Sequence, residues 1–189
     1  MYLYSISAEE RAVRDSRAEE LLIRMSRGEV DAMGELYELI RTDVFSYALS
    51  KLGDRAGAED ILHDTFIQIW KNATLYRPMG KPLAWIFTVE MNLIRRRRIL
   101  SGRILTLDES VDTGAEEENP ADTVINSEMV RYLLSALSED EREIVILYVV
   151  SGLKHREIAD LLGKPLSTVI SRYNRAMKKL KKMPEGEED

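Results

Sequence analysis

The stretch DESVDTGAEEENPADT, positions 108–123, constrains this chain more than any other. It is acidic, contains Gly114 and Pro120, and offers few large apolar side chains, so burial cannot repay the entropy of ordering it. A chain interrupted in this way does not build one continuous core. The pattern predicts two modules, residues 1–101 and 127–183, joined by a flexible acidic linker over 102–126 and followed by an acidic tail over 184–189. A flexible linker of about 24 residues spans typically about 27 Å and reaches about 80 Å when extended. Two modules so joined can dock separately on a long surface.

Both modules read as helical. Met33, Leu36, Tyr37, Ile40, Val44 and Ala48 recur at spacings of three and four, and strand-like alternation persists nowhere. Helices are expected near 10–27, 30–52, 55–73 and 82–101, divided by Gly28, by Gly53-Asp54, and by a loop from Thr74 to Lys81 that holds Pro78 and Gly80. Beyond the linker, Ser138 and Glu141 have the spacing of a capping box, opening an apolar helix that runs to Val150. Shorter helices are expected at 155–162 and 167–182, the second capped by Ser167. The predicted fold class is all-α: two small helical domains, the C-terminal one with a helix-turn-helix.

Several function classes drop out. The chain has no cysteine, and His63 and His155 lie on segments far apart, so no thiolate or histidine metal site is expected, and no cofactor. Gly163-Lys164 lacks both the upstream glycine and the following Ser or Thr of a phosphate loop. No nucleophile–base pair is visible, which argues against an enzyme and against a small-molecule substrate. The longest wholly apolar run, Ile144 to Val150, is seven residues, short of the roughly 20 that cross a bilayer. No basic-then-apolar signal opens the chain, so no membrane insertion and a cytoplasmic location are expected.

Taken alone, a net charge of −6 disfavours a nucleic-acid partner, since phosphates attract cations. The acidity is local, however: residues 102–126 carry one basic and seven acidic side chains, and the last six residues carry four acidic ones. From Lys164 to Lys182 there are seven basic residues and no acidic one, an electrostatic footprint for nucleic acid. There HREIADLLG (155–163) ends on glycine, and a second helix begins after Lys164-Pro165-Leu166, in helix-turn-helix order. Leu166, Val169, Tyr173, Ala176, Met177 and Leu180 form the expected buried stripe. Another face carries Thr168, Ser171, Arg172, Arg175, Lys179 and Lys182, groups suited to base edges and phosphates in a major groove. A solvated basic face on an ordinary helical pair is the alternative.

In the first module, Ile61, Leu62, Phe66, Ile69 and Ala73 form a core stripe, while Asp60, Asp64, Ile67 and Lys71 line another face. An apolar Ile67 between carboxylates suits a partner-binding surface, with a solvated face as the alternative. In PLAWIFTVEMNLIRRRR (82–98), Ile86, Val89 and Leu93 are expected in the core. Trp85, Thr88, Asn92 and Arg95 or Arg96 follow one another on a neighbouring face, where an aromatic, a hydroxyl, an amide and cations can handle unstacked bases. A core aromatic is an equally open reading of Trp85. The four consecutive arginines spread over about 300° of helix, so some must be solvated or pair with carboxylates.

The succession GEVDAMGELYELI (28–40), LGDRAGAEDILHDTFIQIWKNA (52–73), PLAWIFTVEMNLIRRRR (82–98) and LSEDEREIVILYVVSGLKHREIADLLGKPLSTVISRYNRAMKKLK (137–181) resembles the extracytoplasmic-function group of sigma factors, in the sigma-70 family of bacterial RNA polymerase. The resemblance covers about residues 25–183. It implies a transcription initiation factor that binds core RNA polymerase and directs promoter recognition. It implies that Asp60, Asp64, Gln68 and Trp70, with Ile67 on the same face, grip the clamp helices of the largest polymerase subunit. It implies that the loop Thr74–Lys81 and the next helix capture flipped bases of the minus-ten element, with Tyr76, Arg77, Trp85, Thr88, Asn92, Arg95 and Arg96 as candidates. And it implies that Ser167, Thr168, Ser171, Arg172, Arg175 and Lys179 read the minus-thirty-five element as duplex DNA. It leaves room for an anti-sigma factor, which no local motif specifies.

Three departures bear on specificity: His63 where the family usually has Gln, Glu90-Met91 where it usually has Ala-Arg, and Ile170 where a Lys is common. Glu90 puts a carboxylate near a presumed DNA surface, where it either repels phosphate or pairs with another helix. The rival from another class is a stand-alone helix-turn-helix regulator, which predicts tight DNA binding by the isolated chain.

Overall fold

The computed structural model describes residues 7–104 and 134–182; most of the predicted linker and all of the predicted tail lie outside them. The elements are α1 (Ala8–Ser26), α2 (Asp31–Leu52), α3 (Arg55–Asn72), a 3-10 turn (Ala73–Leu75), α4 (Pro82–Ile104), α5 (Glu139–Val149), α6 (His155–Leu162) and α7 (Leu166–Leu180). The described residues contain no strand. They divide into two compact units, one within Arg14–Glu118 and the other within Asn119–Asp189 together with Met1–Val13.

In the first unit, the boundaries of α3 follow from local chemistry. Gly53 ends α2 in the left-handed region, at φ 76°, donating its N–H to the Leu49 carbonyl at 2.9 Å. The next residue, Asp54, caps α3 by accepting from the Gly57 amide. A Cβ at Gly57 would sit 2.5 Å from the Asp54 carboxylate, so a larger residue there would shift the capping side chain. α3 packs on α2 and α4, and α4 also touches α2. The core is filled by Leu21, Leu22, Leu36, Ile40, Val44, Tyr47, Ile61, Phe66, Ile69, Ile86 and Phe87, all at most 2% exposed. Each large side chain among them contributes roughly 1.5–3 kcal/mol by leaving water. Tyr37, one of the apolar positions at helical spacing, is half-buried and tilts against Phe66 at 4.9 Å.

Two sequence expectations fail on α4. Val89 and Leu93 are only half-buried, whereas Phe87, Glu90 and Ile94 are buried. α4 lies against two helices rather than one, so its buried arc is wider and sits about one residue round from the predicted stripe. Glu90 therefore faces the interior, not a DNA surface. It is fully buried, neither carboxyl oxygen has a hydrogen-bond partner, and burial pushes its pKa well above the usual carboxylate range.

In the second unit, the capping box forms as predicted: Ser138 accepts from the Glu141 amide, and the Glu141 carboxylate accepts from the Ser138 amide at 3.0 Å. α5 packs on α6 and α7 around Leu137, Val145 and Ala176, with Val149, Tyr173 and Leu180 at the edge. Gly163 ends α6 at φ 62°, and Lys164 N–H returns to the Ala159 carbonyl at 3.0 Å, closing the helix before the three-residue turn into α7.

α7 differs from expectation at its start. It begins at Leu166, with Pro165 at the cap and no side-chain cap, so Ser167 already lies inside the first turn and does not close the helix. Leu166 is 42% exposed and leaves the predicted buried stripe. Helical side chains lean toward the N-terminus, and a first-position residue has no preceding turn to cover.

Candidate functional site

Three exposed surfaces emerge, two on the first unit and one on the second. On α3, the exposed positions Asp60, His63, Asp64, Ile67 and Lys71 form one continuous face. Ile67 is 44% exposed, an apolar side chain that the core does not use. Gln68 and Trp70 flank this face half-buried, and Gln68 Oε1 accepts from the Asn72 amide at 3.4 Å. Asp60 is not free: Arg97 of α4 donates to its Oδ2 at 3.0 Å.

That pair begins to sort the arginine run. Arg97 turns to Asp60, and Arg98 donates to the Lys51 carbonyl at 2.5 Å. Arg95 and Arg96 are exposed and share a stripe with Thr88 and Asn92. The Thr88 hydroxyl turns back to the Ala84 carbonyl at 2.8 Å, so Asn92, Arg95 and Arg96 are the groups of this stripe that face outward.

The loop before α4 is held from α1, by a residue that sequence reasoning missed. Glu19 Oε1 accepts from the Tyr76 hydroxyl at 2.8 Å and from the Gly80 amide at 3.0 Å. Tyr76 is only 7% exposed, and its ring meets the half-buried Trp85 edge-on at 5.3 Å. Burial, and after it the bond to Glu19, pushes the Tyr76 hydroxyl pKa up. Tyr76 thus sits inside the loop with no ring face turned outward. Thr74, Leu75, Arg77, Pro78, Met79 and Lys81 around it are exposed, and Arg77 Nη1 donates to the Thr74 carbonyl at 3.4 Å. No sequence signal marks Glu19, which is separated from its partners by more than fifty positions.

On α7 the exposed positions are Leu166, Ser167, Ile170, Ser171, Asn174, Arg175 and Lys178, one stripe along the helix. Three cations turn away toward the acidic start of α5. Arg172 and Lys164 both pair with Asp140, the latter at 2.5 Å, and Lys179 pairs with Glu141 at 2.6 Å. Burial raises the Glu141 carboxyl, but Lys179 and the Ser138 amide and hydroxyl more than offset it and hold it below the usual range. Thr168 is half-buried and accepts at its carbonyl from the Ser171 hydroxyl at 3.0 Å. Of the residues proposed from sequence to read duplex DNA, Ser167, Ser171 and Arg175 lie on the exposed stripe, while Arg172 and Lys179 brace α7 against α5. Asn174 and Lys178 belong to the stripe and were missed. Beneath it, Tyr148 and His155 stack at 4.4 Å and Tyr173 closes on both, a cluster whose burial lowers the His155 pKa.

Comparisons with known proteins follow the same division. Residues 36–99 match the family described as Sigma-70 region 2, and residues 127–180 match Sigma-70, region 4. The ECF RNA polymerase sigma factor SigL of Mycobacterium tuberculosis is 30% identical over 158 residues, covering 81% of this chain and 89% of SigL. The ECF RNA polymerase sigma factor BldN of Streptomyces coelicolor is 30% identical over 175 residues, covering 89% of this chain and 66% of BldN. Among solved structures, the sigma factor RpoE in complex with the anti-sigma factor NepR from Bartonella quintana aligns with a TM-score of 0.65 at 24% identity, over 80% of this chain and 96% of that one. CnrH in complex with the cytosolic domain of CnrY aligns at 0.61 and 22%, over 87% and 95%. At such identities the two structures speak to the fold.

Proposed function

The chain belongs to the sigma-70 family, in its extracytoplasmic-function group, and from that membership we propose how its surfaces divide the work of a sigma factor that binds core RNA polymerase and directs promoter recognition and transcription initiation. The α3 face of Asp60, Asp64 and Ile67, flanked by Gln68 and Trp70, docks on the polymerase clamp. The α4 stripe of Asn92, Arg95 and Arg96, with Arg77 and Trp85 beside it, receives the unstacked minus-ten strand. The exposed stripe of α7 enters the major groove of the minus-thirty-five duplex. The observation that carries this division is the presence of cationic and polar stripes on α4 and α7, in two separate units, each unused by its own core.

Each stripe alone offers few contacts, so binding depends on the polymerase holding both units against one promoter, which converts the second contact into an intramolecular one. The chain itself makes and breaks no bond. It acts in the cytoplasm with the polymerase, and an anti-sigma factor is a further proposed partner. Among the described residues no helix is long and apolar enough to cross a membrane.

Run-off transcription with core enzyme tests this. The expected result is a promoter-specific transcript only when the chain is added, with far weaker promoter binding by the chain alone. Equally tight DNA binding without core enzyme, and no transcript with it, would favour the stand-alone regulator instead.

A further inference from the structure

Leu166 and Ile170 stand out on the α7 stripe. They are 42% and 39% exposed, one helical turn apart, and occupied by no neighbour in the core. Ser167 and Ser171 lie beside them, and Arg175 and Lys178 continue the stripe toward the C-terminus. Arg172, the nearest other cation on the helix, is drawn to Asp140. The N-terminal half of the stripe therefore presents two branched apolar side chains and two hydroxyls, with the exposed positive charge following behind.

A base edge in the major groove offers one apolar group, the C5 methyl of thymine, and apolar side chains recognise it by contact. We infer that Leu166 and Ile170 are specificity residues that read thymine methyls in the upstream promoter element. This deepens the duplex-reading role proposed for α7 and rests on it. Duplex DNA is favoured over a protein partner by the charge around the pair: no acidic residue occurs from Lys164 to Lys182, and the exposed Arg175 and Lys178 on the same stripe suit the phosphate backbone. Side chains four residues apart on a helix lie about 6 Å from each other, close to two base steps of about 3.4 Å, so the pair can touch methyls two base pairs apart.

The test uses the full chain reconstituted with core RNA polymerase and a duplex promoter library randomised across the upstream element. From the enriched sequence, each thymine is replaced singly by deoxyuridine, which removes only the methyl. The expected result is a loss of about fourfold in affinity at one or two positions, the effect of uncovering one methyl-sized apolar group. Ile170→Ala or Leu166→Ala holoenzyme should bind the thymine and deoxyuridine duplexes equally at the corresponding position. Both side chains are exposed, so the variants keep the fold, which circular dichroism checks. An enriched upstream element with every deoxyuridine neutral would overturn the inference while leaving the duplex-reading role intact. Equal deoxyuridine losses in wild type and both variants would assign the methyl contact elsewhere and also overturn it. No enrichment at all would remove the duplex-reading role and the inference together. Weakened association of Ile170→Ala with core enzyme in the absence of DNA would make the pair a protein-docking patch instead.

Discussion

α7 in the second unit and α4 with its preceding loop in the first both turn amide and guanidinium groups outward, but they are positioned by different means. α7 follows directly on a three-residue turn closed by Gly163 and is braced by the first turn of α5, whose own start is fixed by a capping box. The α4 surface depends on contacts made at long range: Glu19 reaching the loop, Arg97 reaching Asp60, and α2 and α3 enclosing Glu90. The start of α7 is fixed by the adjacent turn and only its brace to α5 spans 32 and 38 positions, whereas the loop before α4 is itself held across 57 and 61 positions, so its shape inherits more of the weaknesses of its core.

The largest expected contrast is in the response to pH. Glu90 is buried without a hydrogen bond, and its pKa in the folded chain is raised. Between the ordinary carboxylate pKa, about pH 4, and that raised value, the native state holds a proton that the unfolded state has released. Glu90's contribution to the stability of the first unit is therefore full below about pH 4 and is lost as pH rises toward the raised value, by up to about 1.4 kcal/mol per pH unit. Glu90→Gln should flatten this decline and raise the urea midpoint at pH 8 more than at pH 4. Trp70 and Trp85, the only tryptophans, both lie in the first unit, so their fluorescence follows it alone. A wild-type midpoint that does not move with pH would break the contrast.

The same distinction explains what could be read in the sequence. Ser138 and Glu141 were legible because both partners of the capping box sit three residues apart. The outward face of Asp60, Asp64 and Ile67 followed from helical period alone. Glu19 was not legible, because Tyr76 and Gly80 are 57 and 61 positions away. Nor was the separation of Arg172 from Arg175: both are cations on one helix, and only the fold brings Asp140, 32 positions back, beside the first. Glu90 was misplaced because periodicity finds the centre of a buried stripe, while the width of the stripe depends on how many helices pack against it.

Arg172 and Arg175 give the next effect. If α7 is braced by one and reads with the other, Arg175→Ala lowers promoter affinity by about 1–3 kcal/mol for a base contact, or reduces the salt slope by about one for a phosphate contact, and leaves thermal stability unchanged. Arg172→Ala should instead lower the stability of the second unit, with a smaller change in DNA binding, because it leaves Asp140 to Lys164 alone. Titrating holoenzyme with promoter DNA at several salt concentrations, alongside thermal melts, separates the two. The reverse assignment would show that the ion pair opens on DNA.

Glu19→Ala probes the first unit's side of the comparison at a smaller scale. It removes an acceptor shared by the Tyr76 hydroxyl and the Gly80 amide, at a cost of about 1–2 kcal/mol, since bonds to a charged group at a half-exposed site are worth less than buried ones. Polymerase affinity should hold, because the α3 face is untouched, while promoter opening, followed by a fluorescent base in the minus-ten strand, slows. An unchanged opening rate would show that the loop is held without Glu19.

The smallest effect is expected where the two first-unit surfaces meet. Arg97 and Asp60 are paired, and the Asp60 side chain is 67% exposed, so the pair contributes no more than about 1 kcal/mol to folding. Such a bond is easily exchanged for one to a partner. Asp60→Asn should leave the tryptophan-monitored stability nearly unchanged while weakening co-purification with core enzyme, and Asp60→Ala with Asp64→Ala should weaken it further. Arg97→Ala releases the Asp60 carboxylate without removing it, so polymerase association should hold or strengthen slightly. Opposite results, with Arg97→Ala as damaging to association as Asp60→Asn, would mean that the polymerase recognises the pair rather than the carboxylate, and that the α3 face is positioned from α4 just as the loop is positioned from α1.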